Sequence, residues 1–221
     1  MTQSLSVQGI TVMPPFGAFR PAQITTSEGL IETRWYPAPG ATSAAVFFGD
    51  VGGGFDSPCD DLYDRLAVRL QGVGAASLRV QYRRPTEPVA VGLDGLVSVD
   101  MLRRLETARS VAVGWGLGAM AALQAAAQFQ TVAAVALLAP YGVASRAAAG
   151  LGRPLLVLHG TGDVVAPTSV SRALLEQADE PKRVVYLPGA GHDMREADAE
   201  VAEVLGAWLE RQLGVGSPTG D

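Results

Sequence analysis

Residues that carry chemistry are scarce in this chain of 221 residues: it has one cysteine, Cys59, and two histidines, His159 and His192. A single cysteine excludes an internal disulfide framework and suits a reducing, cytoplasmic setting. Two histidines and one thiol do not make a metal centre, so neither a metal nor a cofactor is expected. Positive charge is also short, with 17 Lys and Arg against 22 Asp and Glu, a net charge of −5 and a pI near 5.1. That leaves no basic surface for nucleic acid or an anionic membrane. The opening "MTQSLSVQGI" lacks a basic stretch followed by an apolar one, so no signal peptide is expected.

Charge is absent altogether from Ser110 to Ser145. A membrane helix needs about 20 mostly apolar residues in one run. Here Gly114, Gly116 and Gly118 break the run early, and Gln124, Gln128 and Gln130 break it again. A buried strand, a tight turn, a packed helix and a second buried strand account for it better.

What the chain does have is hydrophobic mass, 48% of its residues, enough for one sizeable core. Short apolar runs alternate with longer amphipathic ones. The pattern predicts strands near 6–13, 30–36, 44–49, 76–82, 110–114, 132–139, 153–159 and 182–187. Runs such as "VAAVALLA" are apolar on both faces, as in parallel strands covered on two sides. The first two strands alternate more and read as an antiparallel edge pair. Helices are expected at 59–71, 94–107, 117–129, 168–178 and 195–213, the last carrying Val201, Val204, Leu205, Trp208 and Leu209 on one face. The expectation is a three-layer α/β domain over 1–213, with about eight mostly parallel strands and a Gly/Pro/Ser-rich tail at 214–221.

The stretch "VAVGWGLGAM" at 111–120 admits two readings. Gly114-x-Gly116-x-x-Ala119 fits a dinucleotide fingerprint, but no acidic residue follows before Arg146 to bind a ribose. The second glycine cluster, "GDVGGGFDSP", lacks the Gly-Lys-Ser/Thr of a phosphate loop. Read as Gly-x-x-x-Gly, the stretch resembles the nucleophile turn of α/β-hydrolases, usually Gly-x-Ser-x-Gly, with Gly116 in the serine's place. Downstream, "HGTGDVVAP" and "PGAGH" supply an aspartate and a histidine in the order that fold requires. Across nearly its whole length the chain resembles the α/β-hydrolase superfamily, most closely its small cap-less, dienelactone-hydrolase-like esterases. Only 13 residues lie between Pro140 and Pro154, where many relatives insert a cap.

The resemblance implies a site of Gly116, Asp163 and His192, with Asp163 orienting the imidazole. It implies oxyanion donors at the backbone of Val51 or Gly52 and of Leu117, while Phe55, Trp115, Tyr141 and Met194 are candidates to line an acyl pocket or else to fill core. His159 reads as a buried, hydrogen-bonded histidine and Cys59 as a packed one. The expected partner is a small ester, thioester, lactone or carboxylate. Glycine has no side chain with which to attack, and three explanations stay open: a pseudoenzyme, a hydrolase whose serine has been replaced, or weak hydrolysis by water activated at His192. A different class, an interaction protein using the fold as a scaffold, also fits.

Overall fold

The computed structural model describes residues 5–143 and 145–216. Among them are nine strands in one sheet and five α-helices. The strands are β1 (Val7–Val12), β2 (Arg20–Thr26), β3 (Gly29–Tyr36), β4 (Ser43–Phe48), β5 (Ala76–Gln81), β6 (Arg109–Trp115), β7 (Val132–Leu138), β8 (Leu155–Gly160) and β9 (Lys182–Leu187). The helices are α1 (Leu62–Gly72), α2 (Pro88–Arg104), α3 (Gly118–Gln128), α4 (Thr168–Gln177) and α5 (Asp198–Leu213). The sheet order is β1-β2-β3-β5-β4-β6-β7-β8-β9, antiparallel from β1 to β5 and parallel beyond. A three-layer α/β fold is therefore the observed architecture.

Strand chemistry explains the layers. Every residue of β4 is buried, and alternate side chains serve opposite cores. Val46 and Phe48 join the cluster under α2, α3 and α4, while Ala45 and Phe47 join the one under α1 and α5. Burying each such Val or Phe contributes about 1.5–3 kcal/mol.

The ninth strand corrects the expected edge pair. Strands 6–13 and 30–36 do not meet, because β2 lies between them and pairs with both. Pro21 masked it, yet Ala22, Ile24 and Thr26 bury one face in strict alternation. Helix α2 also starts earlier than the expected 94, with Pro88 in its first turn. Gly92, Asp94 and Gly95 look like breakers but serve packing: a β-carbon on Gly95 would stand 2.8 Å from that of Ala121 on α3. Asp94 is buried and accepts from Arg83 Nε at 2.7 Å. At the other end Gly214, at φ +72°, closes α5, and residues 217–221 of the expected tail lie outside the described residues.

Candidate active site

The parallel strands deliver their following loops to one edge of the sheet, where open α/β sheets hold ligands. Five loops meet there: those after β4, β6, β7, β8 and β9. The turn after β6 is a sharp one. Gly116 has φ +56°, and its N–H donates to Leu138 O at 2.9 Å. The crossing of β6 and α3 leaves no room beside it, since a β-carbon on Gly118 would lie 2.6 Å from Phe48 O. The result is a sharp strand-to-helix turn built around a residue with no side chain.

His192 and Asp163 come together as the sequence predicts. Asp163 Oδ2 accepts from His192 Nδ1 at 2.8 Å, and Asp163 Oδ1 accepts the N–H groups of Val165 and Ala166, each at 2.8 Å. Burial works against the Asp163 charge, but these donors and His192 outweigh it and hold the carboxyl below its usual range.

The other imidazole nitrogen meets a group the sequence reading passed over. Asp50, just past β4, places Oδ2 at 3.2 Å from His192 Nε2. Its Oδ1 accepts the Leu117 N–H and the Tyr141 hydroxyl, both at 2.8 Å. A β-carbon on Gly116 would lie 2.6 Å from Asp50 Oδ2 and closer still to Cγ and Oδ1. The Asp50 carboxylate thus stands in the space a side chain at 116 would take. Burial raises its pKa, yet the bonds from His192, Leu117, Tyr141 and Val51 prevail, and Asp50 stays ionised below the usual carboxylate range. For His192, burial disfavours the imidazolium, but Asp50 and Asp163 together raise its pKa above 6.5.

Residues 79–215, more than half of the chain, match the family described as PETase: PET hydrolase-like. The chain belongs to that family. An uncharacterized protein of Mycobacterium tuberculosis (strain ATCC 25618/H37Rv) is 28% identical over 210 residues, spanning 80% of this chain and 73% of the other. Among solved structures, dienelactone hydrolase from Anabaena variabilis superposes with a TM-score of 0.77 at 22% identity, covering 88% of this chain and 97% of that one. A serine hydrolase without a lid from Xanthomonas campestris gives 0.70 at 18%, covering 93% and 99%. At such identities the likeness is one of fold, that of the α/β-hydrolases.

Against that PET hydrolase-like frame, the remaining expected residues divide. Trp115 donates Nε1–H to the His192 carbonyl at 3.1 Å, and the Trp115 and Tyr141 rings lie 5.7 and 5.6 Å from the imidazole. Leu117 offers its N–H as expected, but to Asp50. Val51 is exposed at the loop surface and its N–H faces the Asp50 carboxylate. Gly52 departs from expectation, because its N–H serves Asp56. So does Phe55, whose ring lies 4.2 Å from the Arg34 guanidinium, in a groove over β2 and β3 with Phe19 and Pro21. Met194 is fully buried in the core shared by α1 and α5, where its carbonyl accepts the Cys59 thiol at 3.4 Å. That apolar core, one turn of chain beyond His192, claimed the side chain that the sequence offered as a pocket candidate.

Cys59 itself is buried and packed as expected; burial and Asp198 push its thiol up to about 12, so it stays protonated. His159 is fully buried, with Nδ1 toward the Ser171 hydroxyl and Nε2 at 2.8 Å from Ala166 O. Beneath the site, Asp56 Oδ2 accepts the Asp50 N–H at 3.2 Å, and burial and the Asp50 charge raise its carboxyl to about 7. Arg79, buried to 2% exposure, pairs with Asp64 and donates to the carbonyls of Phe55 and Asp56, which fixes the loop. Among the described residues there is no His/Cys/Asp/Glu group that could hold a metal ion, and no helix long and apolar enough to cross a membrane.

Proposed function

We propose that this chain is a hydrolase-fold protein of the carboxylic-ester type, shaped for a small ester, thioester or lactone, whose Ser-Asp-His triad has lost its serine. The supporting observation is the Asp50 carboxylate at the Gly116 turn, bonded to both the Leu117 N–H and His192. A serine acyl-enzyme has no nucleophile here. Of the open explanations, water activated by His192 against an ordinary ester is the least supported, because in the resting site the free Asp50 carboxylate, with Oδ2 at 3.2 Å, engages Nε2. As it stands, the site is a pseudo-hydrolase toward ordinary carboxylic esters.

Two assays test this on the wild-type chain. A fluorophosphonate probe should label no serine, Ser57 included, since its hydroxyl is engaged with Tyr63 N–H at 3.0 Å and Pro58 O at 3.0 Å. Ethyl butyrate, which needs an alkoxide to leave, should not be turned over above buffer. Stoichiometric labelling mapped to a serine, or steady release of ethanol, would overturn the proposal.

A further inference from the structure

We infer that Asp50 is a nucleophile, and that the site hydrolyses alkyl electrophiles: sp3 carbons bearing a halide or sulfonate. The inference rests on the reading that no serine acts at Gly116.

The two oxygens of Asp50 sit in different surroundings. Oδ1 accepts the Leu117 N–H and the Tyr141 O–H. Oδ2 faces His192 Nε2 at 3.2 Å, and both side chains reach solvent, at 9% and 13% exposure. One oxygen is thus placed where an oxyanion is stabilised, while the other is turned toward a base and the surface.

Carboxylate chemistry then selects the substrate. Attack by a carboxylate on a carboxylic ester gives an anhydride, a more activated acyl compound than the ester consumed. Attack on an sp3 carbon gives an ordinary ester, which a His-Asp pair beside two oxyanion donors is equipped to hydrolyse. Tyr141 limits the leaving group. Burial and its bond to Asp50 hold the phenol well above the usual range, so it is a poor proton donor. The Tyr141 O–H is also committed to Asp50 Oδ1, so leaving groups that depart as stable anions are the ones this site favours.

The steps balance. Asp50 Oδ2 attacks R–X, forming the Oδ2–R bond as the C–X bond breaks and X⁻ leaves with its electron pair. Water, losing a proton to His192 Nε2, adds to Asp50 Cγ. The negative charge collects on Oδ1, under the Leu117 and Tyr141 donors. Collapse breaks the Cγ–Oδ2R bond, His192 returns its proton to RO⁻, and the carboxylic acid left at Asp50 loses the second proton of the water to solvent, restoring the carboxylate. The sum is R–X plus water giving R–OH and HX. Alkylation also neutralises Asp50, which removes one of the two carboxylates that favour the imidazolium and frees Nε2 from its bond to a charged oxygen at the step that needs a base.

An apolar groove of about 360 Å³ lies beside the turn, lined by Met120, Leu123, Ala127, Gly142 and Val143. Gly142 follows Tyr141 in the chain, and a β-carbon there would lie 3.2 Å from Leu117 Cδ1, so the groove neighbours two of the residues that bond Asp50. Benzyl bromide and butyl bromide are accordingly the probes. In wild type, bromide release should exceed that of Asp50→Asn by at least ~10²-fold, the usual reach of a positioned base and nucleophile. In His192→Gln the alkyl-enzyme should persist, with a mass gain of one alkyl group per chain mapping to Asp50 and absent from Asp50→Asn. Wild type turned over in ¹⁸O-water should carry the label in the Asp50 carboxyl. Folded His192→Gln protein with no alkyl group on Asp50 from either bromide would overturn the inference. So would adducts confined to other residues, or label that never enters Asp50. None of these results depends on serine labelling, so this inference and the pseudo-hydrolase reading can fail separately.

Discussion

Placing a serine at residue 116 is harder than the turn alone suggests. In Gly116→Ser, the new β-carbon would meet the Asp50 carboxylate, 2.6 Å from Oδ2. Two costs add. A non-glycine residue at φ +56° bears left-handed strain of about 1–3 kcal/mol. Displacing Asp50 breaks its bonds to Leu117 N–H and Tyr141 O–H, charged hydrogen bonds worth roughly 1.5–3 kcal/mol each. The single variant should therefore lose at least ~3 kcal/mol, or roughly 6 °C or more in Tm for a domain of this size. Adding Asp50→Ala removes the obstacle, and the pair should show a favourable coupling of about 1–3 kcal/mol in a double-mutant cycle read by urea unfolding. The double variant also frees the Leu117 N–H for an oxyanion and leaves His192 facing the new hydroxyl. Hydrolysis of a small ester should rise ~10²-fold or more, with fluorophosphonate labelling at residue 116. Two results would refute the reasoning: a single variant losing no more than ~1 kcal/mol with no coupling to Asp50, or a well-folded double variant inert to every short ester.

Two further expectations concern the loop that carries Asp50. Asp56 is raised to about 7, so its contribution to stability is complete below the unfolded carboxyl value and is lost as pH rises through 7. Urea unfolding at several pH values should show Asp56→Asn gaining on wild type between pH 5 and 8, and an equal pH dependence would contradict this. Arg79→Met strands Asp64 and the carbonyls of Phe55 and Asp56 without their donor, so it should cost about 3–5 kcal/mol and lower bromide release along with stability. Loss of neither would mean that the loop holds Asp50 without Arg79.

Much of the fold was legible because burial on both faces leaves a strong signature. The β4, β6, β7 and β8 runs are uncharged through their interiors, and α5 shows its stripe without ambiguity. Strand β2 was not, because Pro21 and two threonines dilute a pattern in which only Ala22, Ile24 and Thr26 reach the core. The His192–Asp163 pair could be read from chain order, since each lies on a loop that follows a strand. Asp50 could not be placed by pattern in the same way. Its loop is dominated by glycines that suggest backbone donors, and neither of its carboxylates, at 50 and 56, belongs to a periodic pattern. The available signal was chemical rather than periodic: a turn without a nucleophile, and an acid at the end of the neighbouring strand. Phe55 and Met194 show the opposite case, in which large apolar residues near a site are pocket candidates by sequence and find better partners in Arg34 and the core.

The position of Asp50 against His192 is the claim on which the rest stands, and the histidine's own titration reads it. Burial favours the neutral ring, so a raised pKa requires the carboxylates on both nitrogens to prevail. The group then adds stability below the ordinary value of about 6.5 that disappears as pH rises past the folded value. NMR of the His192 ring should give a wild-type pKa above 6.5, lowered by Asp163→Asn and lowered separately by Asp50→Asn. A titration that Asp50→Asn leaves unmoved would mean that Asp50 does not face His192, and the account of this site would fall with it.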